Sequence, residues 1–167
     1  METIAVLLIK KLGLMDLALF IKKNNTLKAY SMAKTSQVQL IKKLLPQAFN
    51  KITFLLDSEK TKDNILVKSL KEKVVKLTYN LYDLALPLIP KLTTKIIIQL
   101  SGFKSGLIIF LIDKDESLGV IVFTKNYKDN FSQDQEILFA FARNITKTII
   151  NTQKYQNLLN QIKDFKI

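Results

Sequence analysis

GLIIFLIDKDESLGVIVF, residues 106–123, decides the fold. Two apolar runs, GLIIFLI (106–112) and LGVIVF (118–123), flank the polar segment DKDES (113–117). Each run is short, rich in β-branched residues and bounded by turn chemistry, so the pair reads as two strands of a hairpin, Phe103–Ile112 and Leu118–Phe123. DKDES holds three carboxylates but lacks the length and spacing of a calcium loop, and it reads as a turn. Gly119 inside the second strand implies a bulge or a close backbone approach. A turn-rich stretch follows, TKNYKDNFS (124–132), and then the apolar period changes to three and four. That change predicts one long helix from Ser132 to Phe165, about 50 Å at 1.5 Å per residue. Most helices have about 11–12 residues, so this one overhangs the body that carries it.

Upstream, Glu2–Leu12 reads as a helix with Ile4, Leu7, Leu8 and Leu12 on one face and Gly13 as its stop. Leu14–Ile21 is apolar enough for a buried strand, with Asp16 its one charge. Lys22–Asn25 is a polar turn, and beyond it Leu27, Ala29 and Ser31 alternate with Lys28, Tyr30 and Met32 as in a half-wet strand. Thr35 or Ser36 caps a second helix bearing Val38, Ile41, Leu44 and Leu45, which Pro46 ends. Ile52–Leu56 is a third strand. A helix over Asn64–Lys73, capped by Asp63, and a strand over Val74–Thr78 follow. The crossover TYNLYDLALPLIP (78–90) is interrupted by Pro87 and Pro90, and a helix over Lys91–Leu100 ends at Gly102. Hairpins mixed with helices predict an α+β fold with an antiparallel sheet.

Composition removes several function classes. The chain of 167 residues has no cysteine and no histidine, so thiolate metal sites, cysteine nucleophiles and Ser-His-Asp catalysis are absent. The four glycines, at 13, 102, 106 and 119, form no phosphate loop. No spacing of carboxylates or lysines points to catalysis, and the chain is read as a non-enzyme. Lys plus Arg number 26 against 14 acidic residues, a net charge of +12. The lysines are scattered, and Arg143 is the only arginine, the residue preferred for bidentate base and phosphate contacts. A solvated lysine coat is the first reading; a basic nucleic-acid-associated protein and a ligand-free dimerisation module are the alternatives. No apolar run approaches the ~20 residues of a membrane span, and the start lacks the basic flank of a signal peptide. Together with the lack of cysteine this predicts a cytoplasmic protein.

The terminal helix carries a heptad-like seam, Leu138, Phe141, Ile145, Thr148, Thr152, Tyr155, Leu159 and Ile162. Ser132 and Gln135 have capping-box spacing. The seam predicts a parallel homodimer, with Leu138, Phe141, Ile145, Tyr155, Leu159 and Ile162 as its helix contacts. The chain then divides into a domain over residues 1–150 and a coiled-coil-like extension over 151–167.

The segment SLGVIVFTKNYKDNFSQDQEILFAFARNITKTIIN (117–151) resembles the end of a GAF domain, a fold related to PAS domains. The matching positions are Gly119, Val120, Phe131, Ser132, Asp134, Leu138 and Phe141. The resemblance implies a central antiparallel sheet of five to six strands, N- and C-terminal helices on one face, and a helical crossover on the other that encloses a small-molecule pocket. It implies a sensory or regulatory module, most similar to those attached to histidine kinases, with an output domain in cis or in trans. Tyr79, Asn80, Tyr82 and Asp83 of the crossover are the candidate ligand residues, because aromatics with a few polar groups make small-molecule sites. Cyclic-nucleotide-binding members carry Asn-Lys, Phe and Asp-Glu elements. Here the first is Lys125-Asn126 and the last is Gln135-Glu136, so that ligand is not indicated. Bilin attachment needs a cysteine, and typical haem or iron ligation a histidine or cysteine, so no cofactor is expected.

Overall fold

The computed structural model describes residues 2–33 and 36–164. Thr35, a candidate cap, and Phe165, the expected helix end, lie outside them. The elements are α1 (Glu2–Leu12), β1 (Asp16–Lys23), β2 (Thr26–Met32), α2 (Ser36–Leu44), β3 (Thr53–Leu55), α3 (Ile65–Glu72), β4 (Lys76–Thr78), α4 (Leu81–Ala85), α5 (Lys91–Ser101), β5 (Ser105–Asp113), β6 (Glu116–Lys125) and α6 (Gln135–Asp164). Six strands form one antiparallel sheet in the order β3-β2-β1-β6-β5-β4.

Both faces of this sheet are covered, which is why β5 and β6 read as unbroken apolar runs instead of alternating ones. Alternate residues serve different layers. Leu17, Leu19, Ile121 and Phe123 face Ala5 and Ile9 of α1 and Leu138, Ala142, Ile145 and Ile149 of α6. Ala18, Phe20, Val120 and Val122 face the opposite layer, where Leu66, Val67 and Leu70 of α3 pack. The α+β architecture, with terminal helices on one face and crossover helices on the other, is as expected.

Several details differ from the sequence reading. DKDES contracts to a two-residue turn, because Asp113 pairs with Glu116 and Lys114 takes a left-handed φ of 52°. The first hairpin closes the same way, with Lys23 paired to Thr26 and Asn24 at φ 53°, which carries β1 to Lys23. On α1 the core face is Ala5 and Ile9 with Leu8 and Leu12 beside them, while Ile4 and Leu7 are exposed. The helix is apolar nearly all round, so spacing alone selects no single face. Gly119 sits at a close approach: a Cβ there would lie 2.2 Å from the Phe20 carbonyl oxygen.

α6 begins at Gln135, three residues beyond Ser132. Phe131 is buried with φ 60°, and its N–H donates to Asp129 Oδ1 at 3.0 Å. The Ser132 N–H donates to Asn130 Oδ1 at 3.1 Å. These two Asx contacts hold a tight turn before the helix can start. The expected dimer seam also divides. Leu138 and Ile145 are buried against the sheet, and Phe141 packs edge-on to Phe123 at 6.3 Å. These three belong to the protomer's own core, because a three-four spacing fits a sheet face as well as a partner helix. Tyr155, Leu159 and Ile162 are exposed, as is every side chain from Asn151 to Ile162.

Candidate functional site

The sheet face opposite α6 carries a cavity of about 110 Å³ that is partly open to solvent. Its floor is Ala18 and Phe20 of β1, Val122 and Thr124 of β6, and Phe54 of β3. Its walls come from Ile41 of α2, Leu66 of α3, Leu84 and Ala85 of α4, and Ile97 and Ser101 of α5, with Phe49 and Ile89 between. The crossover can stand over the sheet because Asn64 pins it there. Its Oδ1 accepts from the Leu66 N–H at 2.9 Å, capping α3, while its Nδ2 donates to the carbonyls of Asp83, Leu84 and Leu86 at 3.2, 3.2 and 2.6 Å. The cap is therefore Asn64, not Asp63. An aspartate accepts but cannot donate to three carbonyls. Asp63 is exposed and pairs instead with Lys68 at 2.9 Å.

Among the described residues the lining is apolar except for Asp16, Ser101 and Thr124, of which Thr124 Oγ1 lies 3.4 Å from the Asp16 carbonyl oxygen. Asp16 opens β1 in register with Thr124 and is only 5% exposed. Its Oδ1 accepts from the Leu17 N–H at 2.6 Å. The ion pairs among the described residues lie elsewhere. Burial pushes the Asp16 carboxyl up to about 7, against the smaller opposing pulls of the Leu17 N–H and the Lys42 charge. A carboxyl facing apolar walls is the feature that singles this cavity out.

Of the four residues named from sequence, Asn80, Tyr82 and Asp83 line an open surface groove with Lys60, Asp63, Asn64, Leu86, Pro87 and Lys91. Asn80 Oδ1 accepts from the Tyr82 N–H at 3.1 Å and caps α4. Asp83 Oδ2 accepts from Thr78 Oγ1 at 2.6 Å, and its Oδ1 from Asn80 Nδ2 at 3.3 Å. Tyr79 is exposed, with the Lys128 ammonium 5.2 Å from its ring centroid. The crossover residues that do line the cavity are apolar ones, Leu81, Leu84, Ala85 and Ile89. Asp16 was visible in the sequence as a lone charge in an apolar strand, but its face depends on the pairing with β6.

A second polar centre joins β6 to α6. Lys125 is 2% exposed, and its Nζ donates to Asp129 and, at 2.6 Å, to Asp134. The rings of Tyr127 and Phe131 lie 5.0 and 4.9 Å from the ammonium. Burial pulls the Lys125 pKa down, but the hydrogen bonds it donates to Asp129 and Asp134 outweigh that and hold it above the ordinary lysine range. Lys125 in turn holds the Asp129 carboxyl below its ordinary value. Asp134 immediately precedes α6 and its carbonyl accepts from the Leu138 N–H at 3.0 Å, so the cluster fixes where the helix leaves the sheet. Among the described residues no group of three or more acidic side chains is placed to hold a metal, and no helix is long and apolar enough to cross a membrane.

No protein-family model and no curated protein matches the sequence. Solved structures do match the fold. The GAF domain of a two-component sensor histidine kinase from Bacillus halodurans is 17% identical, with a TM-score of 0.65 over 93% of this chain and 97% of that one. The GAF domain of a phosphoenolpyruvate-protein phosphotransferase from Coxiella burnetii is 12% identical, with a TM-score of 0.66 over 93% of this chain and 83% of that one. A type II free methionine-R-sulfoxide reductase from Thermoplasma acidophilum is 12% identical, with a TM-score of 0.56 over 88% and 87%. The chain has the GAF-domain fold.

Proposed function

We infer that the chain is a non-catalytic sensory or regulatory module that takes a small molecule in the Asp16 cavity and relays its presence through α6. The observation that carries this reading is the division of labour within β1 and β6. Ala18, Phe20 and Val122 line the cavity, while the alternate residues Leu17, Leu19, Ile121 and Phe123 carry α6 on the other face. A ligand that shifts these two strands changes the seat of the helix, provided it prefers one arrangement over the other. The exposed residues Tyr155, Leu159 and Ile162 on the overhanging part of α6, with Ile4 and Leu7 on α1, supply an apolar surface for a second copy. Residues 151–167 then act as the dimerisation and output segment. The output partner is a histidine kinase or a similar domain, in cis or in trans, as in the Bacillus halodurans protein of like fold.

Absence of cysteine and histidine argues against bilin, haem and thiolate or imidazole metal sites, and against thiol or imidazole catalysis. It also suits a reducing compartment, and we place the protein in the cytoplasm. Lysines are spread along the chain and arginine is limited to Arg143, which argues against a dedicated polyanion site. Sedimentation equilibrium tests the relay half of the proposal. The wild type should be dimeric at tens of micromolar, and a Leu159→Lys, Ile162→Lys variant monomeric with an unchanged Tm for the body. A monomeric wild type contradicts the reading.

A further inference from the structure

We propose that the cavity selects a small alkylammonium ion, with its apolar body against Phe20, Phe54, Leu84 and Ile97 and its ammonium on the Asp16 carboxylate. This rests on the sensory reading above and names its ligand class. Three observations on the cavity lead to it. Among the described residues the walls are hydrocarbon apart from Asp16, Ser101 and Thr124, so they accept a branched alkyl or small ring and offer few partners for a polyhydroxylated or nucleotide ligand. Among the described residues the only titratable side chain lining the cavity is Asp16, whose carboxyl accepts from the Leu17 N–H. Carboxylate, phosphate and sulfate ligands would meet it as like charges, whereas an ammonium supplies a counter-charge in direct contact, where Lys42 exerts only a smaller pull. The Thr124 hydroxyl, 3.4 Å from the Asp16 carbonyl, stands beside it as a further partner for ammonium protons, and the Ser101 hydroxyl also lines the cavity. Volume sets the size. A dry cavity of roughly 150 Å³ takes benzene, so about 110 Å³ takes some five heavy atoms.

Isobutylamine is the probe, with isobutanol and isobutyrate as its neutral and anionic counterparts of similar shape. A ligand this small binds at best in the range of order 0.01–1 mM. Nuclear magnetic resonance titration of the full chain near pH 7 reads binding on the methyl groups of Leu84 and Ile97 and on the Asp16 side-chain carbon. The expected result is that isobutylamine binds at least tenfold tighter than isobutanol, that isobutyrate does not bind, and that only the amine moves the Asp16 carboxyl carbon to its ionised position. In Asp16→Asn the preference for the amine should fall below twofold. If that variant does not fold, the carboxyl-carbon shift in the wild type decides. Equal binding of amine and alcohol, or preference for isobutyrate, overturns the amine assignment and leaves the cavity a ligand site. Failure of all three probes to perturb Leu84 and Ile97 overturns both.

Discussion

Replacing Asp16 with asparagine should change the pH dependence of stability in a direction and size set by the cavity. The Asp16 carboxyl is raised from 3.8 to about 7 by burial. A raised carboxyl pKa means that the folded chain holds the proton more tightly than the unfolded chain. Its contribution is therefore most favourable below about pH 4, declines as pH rises toward about 7, and is constant above. Each pH unit within that window is worth about 1.4 kcal/mol. From pH 5 to pH 8 the wild type traverses the last two units or so and should lose about 3 kcal/mol relative to Asp16→Asn, whose amide does not titrate and still accepts from the Leu17 N–H. Other titrations are common to both proteins and cancel in the difference. Urea unfolding at pH 5, 6.5 and 8 gives the comparison directly, and for a domain of this size the gap corresponds to a relative Tm shift of about 6–12 °C. A wild-type-to-variant difference that stays constant within about 0.5 kcal/mol from pH 5 to pH 8 refutes the burial of a charge-bearing Asp16 in the cavity wall.

Asn64→Asp keeps the acceptor that caps α3 but removes the donor to three carbonyls of the crossover, so it should destabilise by about 3 kcal/mol in urea and raise hydrogen exchange in α4. A loss under about 0.5 kcal/mol would show that the crossover is held by its apolar contacts alone. Gly119→Ala forces a methyl against the Phe20 carbonyl and should cost about 3 kcal/mol, read as an earlier urea midpoint. Lys125→Met strands Asp129 and Asp134 beside an apolar side chain and should cost about 3 kcal/mol, with hydrogen exchange rising first at the start of α6. Uniform exchange across α6 in that variant contradicts its role as the joint.

The sheet was legible because its central strands announce themselves: GLIIFLI and LGVIVF are apolar at every position only where both faces are covered. α1 was legible in its bounds, since Gly13 stops it, but not in its orientation, since Ile4 and Leu7 look as apolar as Ala5 and Ile9. The seam on α6 misled for a related reason. Leu138, Phe141 and Ile145 recur as a coiled coil would have them, yet they seat the helix on its own sheet. The polar centres were the least legible. Asp16 owes its setting to Thr124, 108 residues away along the chain. Lys125 looks like one more member of a lysine coat, and its partner Asp134 lies one position before the pair at 135 and 136. In the crossover the conspicuous residues, Tyr79, Asn80, Tyr82 and Asp83, cap and decorate, while the plain ones, Leu84 and Ala85, wall the cavity.

Crystals soaked with a library of neutral, anionic and cationic fragments of up to about six heavy atoms test the central claim most directly, namely that the input site is the chamber beneath the crossover. The account predicts fragment density between Phe20, Phe54, Leu84 and Ile97, with an adjustment of α6 relative to β1 and β6. Density confined to the surface groove at Asn80, Tyr82 and Asp83, with the chamber empty under every fragment, would contradict it.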